Sequence, residues 1–406
     1  MKILVLNSGS SSQKSALFEL GKAELPNDPA APLWQAKIEW NPQSASLEVH
    51  TKAGETLKQQ TLVRDRKSAV KEMLETIWSG STKVVEKHEI EAVGHRVVHG
   101  GPYLWEPTAI TQAVKQAIRK VEPFAPLHNR AELEGIEIIE QLLGTVPQVA
   151  VFDTGFHRTL PLSAAVYPGP YSWYEQNIRK YGFHGINHQY CAGRAAQLLK
   201  KDLKSLKLVS CHLGNGCSLA AIDSGISVET TMGFTPLDGL MMGTRSGSVD
   251  PGILTYLLRE TRVPGEKLDK TLNQESGLLG ISGVSGDMRK VLAAMRDGNE
   301  RAKLAFDIYI HRLQTGIGAI VAALNGIDAL IFTAGVGENS AEVRAATCAN
   351  LGFLGVQLDE ERNEQSPADV EISTSASHVK VLIIQAQEDW AIAKECRCIL
   401  GKTGNS

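Results

Sequence analysis

A run of apolar residues over 2–7 that stops at a polar turn predicts a buried strand at the start of the chain. The turn Asn7-Ser8-Gly9-Ser10-Ser11-Ser12-Gln13-Lys14 gives way to Ser-Ala-Leu-Phe-Glu-Leu over 15–20, which predicts the return arm of a hairpin. Residues 26–32 carry Pro26, Pro29 and Pro32 around Asn27-Asp28 and form a loop by composition. Alternation near 33–40 and 45–51 predicts antiparallel strands with one wet face. Helical spacing follows over 66–79, a strand over 90–99, an amphipathic helix over 132–143 and a strand over 146–152. The same alternation restarts after about residue 160. It gives a strand over 207–212, a turn at 214–216, a return strand over 218–222 and helices over 251–260, 287–296 and 302–324. A strand over 328–333 then leads into a glycine-rich turn, followed by a helix over 341–350, a strand over 379–384 and a last helix over 389–399. Both α/β halves open on strand, small-residue hairpin, strand. The likeness is one of layout, since residue identity between the halves is weak.

Composition narrows the class. At 406 residues and about 150 per domain, two or three domains are expected. A hydrophobic content of 43% is that of a globular protein. The net charge of −3 shows no basic surplus, which argues against a nucleic-acid partner. There is no run of about 18 apolar residues, so no membrane span is expected. The apolar start ends at Asn7, too short for a signal peptide. The cysteines at 191, 211, 217, 348, 396 and 398 form neither a CxxC pair nor a zinc spacing. Cys396 and Cys398 read as two thiols on a terminal helix, and the chain as a reduced cytoplasmic protein.

The residues with chemistry lie at predicted strand ends. In the hairpin, small residues let backbone N–H groups approach phosphate oxygens, hydroxyls such as those of Ser10 and Ser12 add donors, and Lys14 adds a point charge. The Walker A pattern is absent. Two further turns, His212-Leu213-Gly214-Asn215-Gly216 and Gly335-Val336-Gly337-Glu338-Asn339, follow strands, and glycine there permits close backbone approach to an anion. Asp287-Met288-Arg289 opens a helix, where Asp287 serves equally well as an N-cap or a nucleotide contact. Arg96, within Gly94-His95-Arg96-Val97-Val98-His99-Gly100-Gly101, and Arg245, between small residues, carry guanidinium forks suited to carboxylate and phosphoryl groups. Their bland alternative is a structural salt bridge. His128 and His184 sit in turn-like contexts, as structural hydrogen-bonders or as donors to developing charge. Asp153 and Glu388 fall just past predicted strands, where α/β ligand sites collect. Glu388 suits Mg²⁺, which needs one or two carboxylates plus water and phosphate oxygens.

Taken together, LNSGSSSQK, GHRVVHGG, APLHN, VFDTGFH, YGFHG, HLGNG, MGFTPLDGLMMGTRSG, FTAGVGEN and the QED turn resemble the acetate kinase family nearly end to end. The resemblance implies an α/β fold of two ribonuclease-H-like, actin-like ATPase domains around a central cleft. It places residues 1–156 with 390–406 in one domain and 157–389, the main nucleotide-binding part, in the other. It implies ATP + acetate ⇌ ADP + acetyl phosphate, with Mg²⁺ or Mn²⁺, in a homodimer. By motif position, Asn7 and Glu388 would assist the metal, and Lys14, Ser10 and Ser12 the ATP phosphates. His212 to Gly216, Asp287 to Arg289 and Gly335 to Asn339 would hold the nucleotide. Arg96 would bind the carboxylate, and Val98, Leu127, Phe183 and Pro236 would surround the acetate methyl. Asp153 is the family's proton donor or acceptor, and His184 and Arg245 would stabilise the transition state with His128 nearby. The chain departs from the family pattern at Gly185-Ile186-Asn187, where Thr-Ser follows the shared glycine, at Ser248 and at Gln387. Its stretch 25–60 is longer than in compact members.

Acetate is already ionised at pH 7, because carboxyl pKa values lie near ~4–5. It needs no base to attack phosphorus, so Asp153 is expected to hold an arginine rather than take a proton, and transfer is expected to be direct and in line. A propionate or butyrate kinase differs only by pocket width, one methylene being worth ~1–3 kcal/mol. A non-catalytic actin-like ATPase module would not need Arg96, His184 and Arg245.

Overall fold

The computed structural model describes residues 1–9, 12–21, 25–26, 28–40, 44–61, 65–365 and 368–403. The chain divides into two compact units, Met1–Gly155 with Gln387–Ser406, and Phe156–Ala386.

The first unit is built on strands β1 (Lys2–Ser8), β2 (Ser12–Glu19), β3 (Trp34–Trp40), β4 (Ala45–Thr51), β5 (Thr56–Thr61), β6 (Ala92–Val97), β7 (Thr108–Ala109) and β8 (Gln148–Phe152). They form one sheet in the order β5-β4-β3-β2-β1-β6-β8-β7. β1 runs antiparallel to β2, with Asn7 opposite Lys14, and parallel to β6. β8 is buried at every position, as expected of a strand covered on both faces, whereas β3 and β4 alternate. The wet-faced strands expected near 33–40 and 45–51 are therefore present. A core of Trp34, Ile38, Val49, Met73, Leu74 and Ile139 joins the sheet to the helices Arg66–Glu75 and Pro126–Leu143. The last helix, Glu388–Thr403, buries Trp390 and Cys396 completely. It crosses β6 at Gly94, where a side-chain Cβ would stand 2.5 Å from Cys396 Sγ and 2.7 Å from Ile392. That close approach is why the GHR segment opens with glycine.

The second unit repeats the layout with β9 (Lys207–Leu213), β10 (Cys217–Asp223), β11 (Ile226–Thr230), β12 (Ala329–Thr333), β13 (Val370–Glu371) and β14 (Lys380–Ile383), in the order β11-β10-β9-β12-β14-β13. The β9–β10 hairpin is antiparallel and β12 lies parallel to both β9 and β14, matching β1–β2, β6 and β8. Among the described residues the extra pair β4–β5 belongs to the first unit alone.

Several boundaries differ from the sequence reading. The helix expected over 132–143 begins at Pro126, a proline-compatible first position. His128 therefore lies in a helical first turn, not a loop. The helix expected over 66–79 stops at Glu75. The turn expected at 335–339 is itself a short helix, Ala334–Asn339. The helix Gly185–Leu199 was not anticipated: its buried face includes Gly185, Asn187 and His188, residues that hide an apolar stripe. Strands β5 and β11 and the helix Gln112–Lys120 were also missed.

Candidate active site

In the first unit, parallel β6 and β8 put Arg96 beside Val151, and Asp153 leaves the end of β8 with its N–H on Val97 O at 2.8 Å. Arg96 Nη2 then meets Asp153 Oδ2 at 2.8 Å, the two side chains being 11% and 0% exposed. Burial works against the Arg96 charge, but Asp153, Glu388 and Glu132 outweigh it and raise its pKa. Asp153 thus holds an arginine, as expected. Val98 is buried beside this pair, and its N–H donates to Glu132 Oε2 at 3.0 Å. Burial pushes the Glu132 carboxyl up to about 8 against the pull of Arg96. Asn129 braces the adjoining turn by accepting from His99 N–H and donating to His99 O.

At the hairpin, Asn7 Nδ2 donates to Glu388 Oε2 at 2.9 Å and Asp389 Oδ1 at 3.1 Å. Burial raises the Asp389 pKa, while Asn7 and Lys14 oppose the shift. Among the described residues no group of three or more His, Cys, Asp or Glu is arranged to hold a metal. Two neighbouring carboxylates on a hard-oxygen site nevertheless fit Mg²⁺, which keeps water and phosphate oxygens among its ligands. A divalent cation would also relieve their mutual repulsion. Ser12 begins β2, while Ser10 lies outside the described residues, as does the Leu127 side chain.

In the second unit, the turn after β9 gathers the candidates. His184 takes a left-handed conformation, φ 57°, as the cap of Gly185–Leu199. Its ring stacks on His212 with centroids 3.9 Å apart and planes at 11°. Ser218 Oγ lies 2.9 Å from His184 Nδ1 and 2.8 Å from His188 Nε2, and Ser210 Oγ lies 2.9 Å from His188 Nδ1. Asn187 Nδ2 donates to His212 Nδ1 at 2.8 Å. In its neutral form His212 then carries its proton on Nε2, on the Gly214 side. Burial lowers the pKa of His157 to about 4 and that of His188 well below its ordinary value, so these two imidazoles are uncharged at neutral pH. Arg245 Nη1 donates to Pro236 O at 2.7 Å. At Gly216 a Cβ would stand 3.3 Å from His184 Nε2 and 3.5 Å from Arg245 Nη2, so His184, Arg245 and the HLGNG turn meet at one point. Asn215 O accepts from Gly243 N–H at 3.1 Å, which joins the Arg245 loop to the same turn. Phe183 is buried and Pro236 half-buried.

Asp287 is an N-cap, accepting from Arg289 N–H and pairing with the exposed Arg289 guanidinium. The helix Ala334–Asn339 is anchored by Arg344, fully buried, which donates to Gly337 O and Glu338 O. Glu338 Oε1 accepts from Ala386 N–H. Arg344, Asn187, Ser218, Glu132 and Asp389 were not picked out from the sequence. Glu132 stood at the start of the amphipathic helix expected over 132–143, and only Asp389, inside the QED turn, carried a signal.

The chain can now be set beside known proteins. The model of the Acetokinase family matches residues 2–394. An acetate kinase from Cyanothece sp. is 58% identical over 399 residues, covering 98% of each chain. The crystal structure of Porphyromonas gingivalis acetate kinase superposes with a TM-score of 0.88 at 38% identity, covering 98% of this chain and 99% of that one. A propionate kinase structure from Francisella tularensis gives 0.89 at 36% identity over the same shares. A family match over nearly the whole chain, carried on an α/β architecture of two sheets with one strand order, leaves a single conclusion: this chain belongs to the acetokinase family.

Proposed function

We propose that the protein transfers the γ-phosphoryl group of ATP to acetate, reversibly, giving ADP and acetyl phosphate. The observation that carries this reading is the buried Arg96–Asp153 pair, a guanidinium fixed by a carboxylate at 2.8 Å. ATP and ADP are the co-substrates of this family of phosphotransferases acting on carboxyl groups. Propionate remains the nearest alternative acceptor, since one solved relative is a propionate kinase. The relatives at 56–58% identity are acetate kinases and favour acetate.

In this reading the two units act as the two acetokinase domains, the second holding most of the nucleotide. Arg96 receives the acetate carboxylate, and Val98, Leu127, Phe183 and Pro236 exclude water from its methyl group. Lys14 and the hairpin donors, with Ser10 and Ser12, meet ATP phosphates. The HLGNG turn, Asp287 to Arg289 and Gly335 to Asn339 hold the nucleotide. Acetate attacks as the anion it already is, so no proton moves. His184 and Arg245 donate to the phosphoryl oxygens as charge spreads over them, with His128 nearby. Glu388, supported by Asn7 and Asp389, would hold Mg²⁺, or Mn²⁺ in its place, whose contribution is charge neutralisation on the phosphates.

The six free cysteines support a reducing, cytoplasmic setting. Exposed Ile253, Tyr256 and Leu258, on a helix without a buried residue, support a homodimer. No helix of the described residues is long and apolar enough to cross a membrane. The test is hydroxylamine trapping of acyl phosphate with acetate, propionate and butyrate at equal concentration, with and without a chelator. Preference for acetate, abolished by chelation, supports the assignment. Equal or better use of the longer acids moves the substrate, and no acyl phosphate from any acid overturns the reaction.

A further inference from the structure

Glu132 has no part in the reaction described above, yet it is 2% exposed and lies among the charged groups of the carboxylate site. One of its oxygens is accounted for: Oε2 accepts from the Val98 N–H at 3.0 Å. The other, Oε1, is buried and has no hydrogen-bond partner among the described residues. A buried polar oxygen left without a partner costs about 1–3 kcal/mol, so its retention calls for an explanation. The groups that act on the carboxyl are Arg96 from β6, Asp153 from the end of β8 and Arg66 from the helix Arg66–Glu75. Arg96 already has a carboxylate, Asp153, at 2.8 Å. A second ionised carboxylate at this depth would add a like charge beside Asp153 and would repel an incoming acetate anion. A neutral carboxylic acid does neither. It leaves the Val98 N–H its acceptor and presents one O–H donor.

Resting on the assignment of Arg96 as the acetate site, we propose that Glu132 is a further substrate-binding residue, whose unpartnered Oε1, as the O–H of a neutral carboxylic acid, donates a hydrogen bond to the carboxylate of the small acid substrate. Acetate then meets a cation, Arg96, and a neutral donor, Glu132, anchored to the backbone of pocket residue Val98. The substrate anion supplies the acceptor that the folded chain lacks. No bond is made or broken at Glu132, and its proton stays in place throughout phosphoryl transfer.

The raised pKa of about 8 gives the sign of the pH dependence. Below pH 8 the donor is present. Above it the group ionises, the donor is lost and a repelling charge appears, so KM for acetate rises about tenfold per pH unit while KM for ATP stays level. Glu132→Gln supplies an amide donor and keeps an acceptor for Val98, without a titrating proton. Its KM for acetate is expected within about threefold of wild type at pH 7 and level from pH 7 to 9.5. Glu132→Ala is expected to raise KM for acetate at every pH. A buried group with a purely structural role would leave the slope of KM against pH unchanged in the glutamine variant. Should that variant fold poorly, wild type alone decides: when acetate is titrated calorimetrically at pH 8.5 in two buffers of different ionisation enthalpy, the protein should take up about three-quarters of a proton per site. Active wild type and Glu132→Gln sharing one alkaline rise, or acetate binding without proton uptake, overturns the inference alone. Wild type that makes no acyl phosphate at any pH overturns the functional assignment, and this inference with it.

Discussion

The two units share a strand order, β3-β2-β1-β6-β8 in one and β11-β10-β9-β12-β14 in the other, but charge their strand ends differently. The first sets full charges against one another, Arg96 on Asp153 and Lys14 opposite Asp389, with the neutral Asn7 amide donating to Glu388 and Asp389. The second surrounds one guanidinium, Arg245, with imidazoles, hydroxyls and glycine backbone. One topology thus carries two electrostatic environments at its strand ends. Compensated charge suits a small carboxylate and a cation, while neutral donors suit phosphoryl oxygens whose charge spreads during transfer.

Removing a compensating charge should separate the units most. Asp153→Ala strands buried Arg96 and is expected to destabilise the protein by about 3–5 kcal/mol, read by denaturant titration. A loss below 1 kcal/mol would show that the pair is not compensating. In Asp153→Asn, turnover should fall without any new solvent isotope effect, since no proton transfer is lost. In the second unit, Arg245→Lys keeps charge but loses the planar fork, and kcat should drop by about 100- to 1,000-fold with stability little changed. Near-normal turnover would remove Arg245 from the transition state.

A smaller effect concerns something the units share. Each carries buried neutral histidines, His95 at about 4 and His99 at about 3 in the first, His157 at about 4 and His188 in the second, all lowered by desolvation. A histidine depressed in the folded state binds its proton in the unfolded chain first. Stability is therefore full above the unfolded value near 6.5 and falls as pH drops from there toward 4. His95→Gln, which keeps a partner for Gln148, should flatten that slope by about 1.4 kcal/mol per pH unit, seen in urea midpoints between pH 6 and 4.5. An unchanged slope would mean that His95 titrates normally in the fold. The smallest effect is expected for Asn187→Ala. It removes the donor to His212 Nδ1, worth about 0.5–1.5 kcal/mol, and should raise KM for ATP by up to about tenfold with KM for acetate unchanged. A change confined to acetate would place Asn187 elsewhere in the reaction.

Much of this molecule was determined by sequence alone. Strands covered on both faces must be apolar throughout, and one-faced strands must alternate, so β1, β3, β4, β8 and β12 were readable from side-chain pattern. The glycine-rich turns and the isolated Arg96 and Arg245 were readable because few other residue types do their work. The helix Gly185–Leu199 was not, since its buried face is made of Gly, Asn, His and Cys as well as Ile and Ala. Tertiary structure alone decided which groups are partners. Arg96 and Asp153 are 57 residues apart and meet through parallel pairing of β6 and β8. Asn7 reaches Glu388 across 381 residues because the last helix returns to the first sheet. Glu132 looks in the sequence like any acid on an amphipathic helix, and only burial turns it into a candidate donor. Side-chain pattern reports which face of an element avoids water, whereas charge state and hydrogen-bond partners depend on distances that only packing sets.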